Sequence, residues 1–90
     1  MKIAEIKILN RSGLHARPAV KFVQLVNKFK SSTQIRKSIR CVDAKSILNA
    51  LSLGIDQSDV VTLKIEGPDE EDAYKSILDL LLNVLPAEDK

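Results

Sequence analysis

The chain has 90 residues, 44% apolar and 29% charged, with one histidine and one cysteine. That length leaves room for one domain over residues 1–90 with an ordinary globular composition. Cys41 alone excludes an intramolecular disulfide. No apolar run approaches the roughly 20 residues that span a bilayer, and the first residues carry no signal-peptide pattern; a cytoplasmic protein is expected.

The net charge of +2 divides unevenly. Residues 1–45 hold 11 Lys and Arg against 2 Asp and Glu, whereas residues 46–90 hold 3 against 10. Such a split either presents a basic surface to phosphate, nucleic acid or an acidic partner, or interleaves in space and neutralises itself.

Ala4, Ile6 and Ile8 alternate with Glu5 and Lys7. A period of two reads as a half-buried strand. Residues 10–13 break it. Over residues 16–28 the period lengthens: Ala19, Phe22, Val23 and Val26 share a helix face, with Lys21, Gln24 and Lys28 outward. Pro18 suits the first turn, where a missing N–H costs little. Residues 33–38 and 39–43 read as a hairpin with Ile35 and Val42 inward, although Ser38-Ile39 is a poor turn pair. Cys41 reads as a small, half-buried strand residue.

Ser46 is a plausible N-cap for a short helix. Val61, Leu63 and Ile65 then alternate with Thr62, Lys64 and Glu66 in a last strand. Asp69, Glu70, Glu71 and Asp72 put four carboxylates at the positive end of a final helix. Ala73, Tyr74, Ile77, Leu78, Leu81 and Leu85 form its buried face, and Pro86 is expected to end it. The order is β-α-β-β-α-β-α. Strands with one apolar face ask for an α+β open-faced sandwich: a four-stranded antiparallel sheet with three helices on one face.

Counting narrows the chemistry. One His and one distant Cys make a poor metal site, and none is expected. No Gly-x-Ser-x-Gly elbow, phosphate loop or dinucleotide fingerprint is present. His15 sits where a glycine-containing loop enters a helix. The first amides there lack intrahelical acceptors, and the dipole is positive. Both disfavour imidazolium and favour a bound anion. Arg17 adds a permanent cation whose fork fits phosphate oxygens. On physics alone this is a candidate phosphohistidine site; a surface histidine beside an ordinary helix start is the alternative.

The segment Gly13-Leu14-His15-Ala16-Arg17-Pro18-Ala19 resembles the active-site signature of the HPr family, histidine-containing phosphocarriers of the bacterial phosphoenolpyruvate:sugar phosphotransferase system. Ala44-Lys45-Ser46-Ile47-Leu48, continuing to Leu51-Ser52-Leu53-Gly54, resembles that family's regulatory serine region. Gly67-Pro68-Asp69-Glu70-Glu71-Asp72-Ala73 resembles its lead into the last helix. The resemblance covers essentially the whole chain, and the inferred element order is the family's fold.

The resemblance implies that His15 accepts a phosphoryl group through Nδ1 from phospho-enzyme I. It then passes the group to a sugar-specific enzyme IIA domain, with no cofactor, as a carrier rather than an enzyme. Arg17 and the amides near Ala16 and Arg17 would stabilise charge on the transferring group. Ser12 either contacts the phosphate or caps the loop. The resemblance also implies phosphorylation of Ser46 by HPr kinase/phosphorylase, with the product acting alongside the catabolite regulator CcpA. Ala16, in place of a hydroxyl residue, fits the Gram-positive-type branch. New charge at Ser46 would fall beside Ile47, Leu48 and Leu51. With Val20, these form the expected partner surface.

Two other readings stand beside the carrier. A regulatory paralogue or nitrogen-branch carrier would act mainly through protein binding, although a paralogue of the purely regulatory kind lacks the active-site histidine. Nucleic-acid binding is motivated by Lys28, Lys30, Arg36, Lys37 and Arg40, but no strand carries an aromatic residue on which bases could stack. A monomer that neither binds nucleic acid nor enters a membrane is expected.

Overall fold

Alternating aliphatic residues assemble into one sheet. In the computed structural model, which describes residues 1–89, β1 (Lys2–Lys7), β2 (Ser32–Lys37), β3 (Arg40–Asp43) and β4 (Val60–Glu66) lie in the order β1-β4-β2-β3. Every pairing is antiparallel. The register sets Ala4 opposite Leu63, Leu63 opposite Ile35, and Ile35 opposite Val42. This aliphatic row crosses the sheet on one face because successive strand side chains alternate sides.

Helices cover that face. α1 (Ala16–Val26) buries Pro18, Ala19, Phe22, Val23 and Val26. It ends two residues earlier than its period suggests, where Asn27 Nδ2 turns back to the Val23 carbonyl and across to that of Lys45, both at 2.9 Å. α2 (Ile47–Ser52) buries Ala50, and Ser46 caps it by accepting from the Asn49 amide at 3.3 Å. α3 (Glu70–Asp79) buries Ala73 and Ile77, while Tyr74 and Leu78 pack against the core from its edge. The three-helix open sandwich expected from the periods is the observed architecture.

Three local expectations need correction. Pro86 does not end the last helix. α3 runs on through a π-turn (Leu80–Val84) into a final α-turn (Leu85–Glu88) that contains Pro86. A proline in a helix crowds the carbonyl four residues back, and the wider turn before it gives that carbonyl room. Cys41 is exposed, because Val42 next to it faces inward and the pleat sends its neighbour outward. The Ser38-Ile39 turn closes with only two residues between Lys37 and Arg40, because Ser38 takes φ 57 where glycine or asparagine is usual.

The charge halves interleave. Every ion pair among the described residues joins a basic group of the first half to a carboxylate of the second: Met1 to Glu70, Lys2 to Glu71, His15 to Asp56, Lys21 to Glu88 and Lys37 to Asp59. No helix among these residues is long and apolar enough to cross a membrane.

Asp69 does not cap its own helix. Its carboxylate accepts from the Lys30 amide at 2.8 Å, the Ser31 amide at 2.9 Å and the Ser31 hydroxyl, tying the loop after α1 to the start of α3. The Ser31 hydroxyl first, then the Lys30 amide, lower its pKa from the ordinary 3.8 to about 2. A folded value below the unfolded one stabilises the fold above 3.8, and that contribution fades as pH falls to about 2. Asp69→Asn is therefore expected to lower Tm at neutral pH. It should also flatten the acid limb of the Tm-versus-pH curve between those values.

Candidate functional site

The site begins with a close approach of two loops. Gly13 takes φ 60, and a Cβ there would stand 2.2 Å from the Ile55 carbonyl oxygen and 2.8 Å from Asp56 Cα. Leu14 donates its amide to the Ile55 carbonyl at 3.0 Å, and its side chain is fully buried. The chain is thus pinned on both sides of one peptide, and the next residue is His15.

His15 is the N-cap of α1, with φ −116 and ψ 163, and its ring makes no capping bond. The ring is 41% exposed, so a partner can reach it. Its Nε2 lies 2.8 Å from Asp56 Oδ1. Ala16 has φ 48, a left-handed conformation that costs a non-glycine residue about 1–3 kcal/mol. The amides of Ala16 and Arg17 fall in the first turn, where no intrahelical acceptor exists and the helix dipole is positive. Arg17 is exposed and forms no ion pair among the described residues. It lines a cleft of about 260 Å³ with Ser12, Ala16, Lys21 and Asp89.

Ser12 is already engaged. Its amide donates to Asp89 Oδ2 at 2.6 Å and its hydroxyl to Asp89 Oδ1 at 3.1 Å, while Asn10 Nδ2 approaches the same carboxylate at 3.2 Å. The Ser12 amide, foremost, holds the Asp89 carboxyl below its ordinary range. Ser12 and His15 thus use different acids, and the hydroxyl is not joined to the ring as a hydrolytic triad requires.

The expected partner surface is partly assembled. Val20 of α1 and Ile47 of α2 line one apolar groove with Val23 and Gln24. Leu48 and Leu51 are exposed on α2 but do not line that groove, and Ser46 is half-buried at the start of the helix. Asp56 and Asp89 are the residues that sequence reasoning missed. Both are acidic loop residues, 41 and 77 positions from the groups they bind.

The sequence family described as "PTS HPr component phosphorylation site" matches residues 3–83. The chain belongs to the HPr family. Phosphocarrier protein HPr of Cupriavidus necator is 41% identical over 76 residues, covering 84% of this chain and 85% of that protein. Among solved structures, HPr-C-His from Thermoanaerobacter tengcongensis matches with a TM-score of 0.88 at 49% identity, covering 90% of this chain and 91% of that one. Phosphocarrier protein HPr from Bacillus anthracis matches at 0.86 and 34% identity, covering 89% and 95%. Fold and family therefore agree with the resemblance read from the three motifs, and the chain is an HPr-type phosphocarrier of the phosphotransferase system.

Gly13→Ala tests the loop contact that organises this HPr site. Its Cβ would strike backbone, which cannot swing aside. The substitution is expected to cost at least about 2 kcal/mol in urea unfolding, in the range of strained-backbone and overpacking changes. It should also shift the amide resonances of residues 55 and 56.

Proposed function

We propose that His15 Nδ1 is the phosphoryl acceptor, loaded by phospho-enzyme I and unloaded onto an enzyme IIA domain in the cytoplasm. The observation that carries this reading is an exposed histidine at a helix start with Nε2 already occupied by Asp56. The other ring nitrogen is the one left to react. Its lone pair attacks phosphorus, an N–P bond forms, and the bond from phosphorus to the donor breaks with its electrons leaving on the donor. The Arg17 guanidinium and the amides of Ala16 and Arg17 face the charge of the transferring oxygens. Ser12 joins them if phosphate displaces Asp89; otherwise it anchors the loop.

Val20, Ile47, Leu48 and Leu51 form the docking surface for the donor and acceptor proteins. Ser46 is the regulatory position, phosphorylated by an HPr kinase/phosphorylase and read by a CcpA-like regulator. Phosphate at a helix N-terminus is electrostatically tolerated, so the domain stays folded while its apolar surface gains charge. The monomer is sufficient for each step.

Incubation with phosphoenolpyruvate and enzyme I is expected to place an acid-labile, base-stable phosphate on His15. His15→Ala should abolish the label, and Arg17→Ala should slow its appearance by roughly 10- to 100-fold, below the loss seen for a buried oxyanion donor. Labelling of His15→Ala at the parent rate would overturn the assignment.

Ser46 separates capping from signalling. Ser46→Ala is expected to cost about 1 kcal/mol of stability through the lost cap while leaving phosphoryl transfer near the parent rate. Ser46→Asp should keep the cap and slow transfer from enzyme I, measured by stopped labelling time courses.

A further inference from the structure

The carboxylate of Asp56 belongs to no motif in the sequence, yet it is the acid on His15. Its place is held from several sides. The Asp56 amide donates to Asp59 Oδ2 at 2.7 Å, and the Asp59 amide returns a bond to the Asp56 carbonyl at 3.1 Å. Lys37 Nζ reaches Asp59 Oδ2 at 2.8 Å and the Gly54 carbonyl at 2.6 Å, so one lysine clamps both ends of the 54–59 loop. Hydrogen bonding from Lys37, and then from the Asp56 amide, lowers the Asp59 pKa. The Gly13 contact holds the same loop from the other side. Asp56 is thus a carboxylate on an anchored backbone with its Oδ1 2.8 Å from Nε2.

We infer that Asp56 is a positioning residue for phosphoryl transfer: it holds the proton on His15 Nε2, keeps the Nδ1 lone pair open, and compensates the charge that the ring acquires. A carboxylate accepts and does not donate, so the 2.8 Å contact requires hydrogen on Nε2. The bond made by one ring nitrogen sets the tautomer of the other. A ring with hydrogen on Nδ1 would have to lose that proton before attack. A ring with hydrogen on Nε2 loses none. The N–P bond forms from the Nδ1 lone pair, the Nε2 proton stays, and the ring becomes an N-phosphoimidazolium whose positive charge lies against Asp56. On delivery the N–P electrons return to Nδ1, and the neutral ring is restored in the reactive tautomer. The inference rests on the carrier reading of His15 for its kinetic part but not for the ring tautomer.

The Asp56 side chain is 71% exposed, so replacing it leaves the core untouched. Nitrogen-15 NMR of the His15 ring at alkaline pH reads the tautomer, and labelling with phosphoenolpyruvate and enzyme I reads the rate. The parent should show hydrogen on Nε2 alone. Asp56→Ala should give a tautomer mixture and slow labelling by roughly three- to tenfold, at or below the low end for outer partners of a functional histidine. Asp56→Asn should hold the tautomer through its amide oxygen yet remain slow for want of charge. Asp56→Glu should recover both. An Asp56→Ala protein with the parent's tautomer and rate would overturn the inference. A parent that takes no label, but whose tautomer responds to Asp56, would overturn the carrier reading and support the hold of Asp56 on the ring.

Discussion

The site depends on one backbone contact, the seating of Gly13 against Ile55 and Asp56. No side chain fits between these loops, since even a Cβ would come within 2.2 Å of a carbonyl oxygen. The Leu14 amide bonds to Ile55, and the buried Leu14 side chain anchors the same loop to the core. His15 follows at once, so its ring is placed by rigid neighbours rather than by its own packing. It can therefore be exposed to a partner and oriented at the same time. That combination suits a phosphocarrier, because preorganisation costs nothing further at each encounter.

Asp56 meets the ring at Nε2, and Arg17 lies two residues on in the first turn of α1. Arg17 and the first amides of α1 favour negative charge, as a helix start does. Asp56 accepts at Nε2 of the imidazole at 2.8 Å. The proposed carrier role uses both, since the loaded state we infer pairs an anionic phosphoryl group with a cationic ring. The exposure of these groups keeps each contribution modest. Modest binding is what a reversible carrier requires, because a phosphate held too firmly could not be passed on. The two charge halves interleave through Lys2, Lys21 and Lys37, whereas Arg17 is among the basic side chains of the first half that form no ion pair among the described residues.

Much of this was legible in the residues. The periods of two and of 3.6 placed β1, β4, α1 and the inner face of α3, because a core face must repeat with the geometry of its element. The helix-start logic made His15 and Arg17 candidates, and α1 does begin at that point; the Ser46 cap formed as its residue type suggests. What stayed hidden has a common cause. Asp56, Asp89 and the side chain of Asp69 act between loops far apart in sequence, and loop contacts leave no period. Pro86 misled for a local reason: proline breaks a regular α-helix, and a π-turn is the irregularity that lets the helix pass. Cys41 misled because edge-strand β3 has an outward face that a four-residue segment barely signals.

The most direct measurement is the position of phosphorus on the His15 ring. Nitrogen-15 and phosphorus-31 NMR of the protein loaded by enzyme I should show the N–P coupling at Nδ1, with hydrogen retained on Nε2. Coupling at Nε2, the nitrogen that faces Asp56, would contradict the account at its centre.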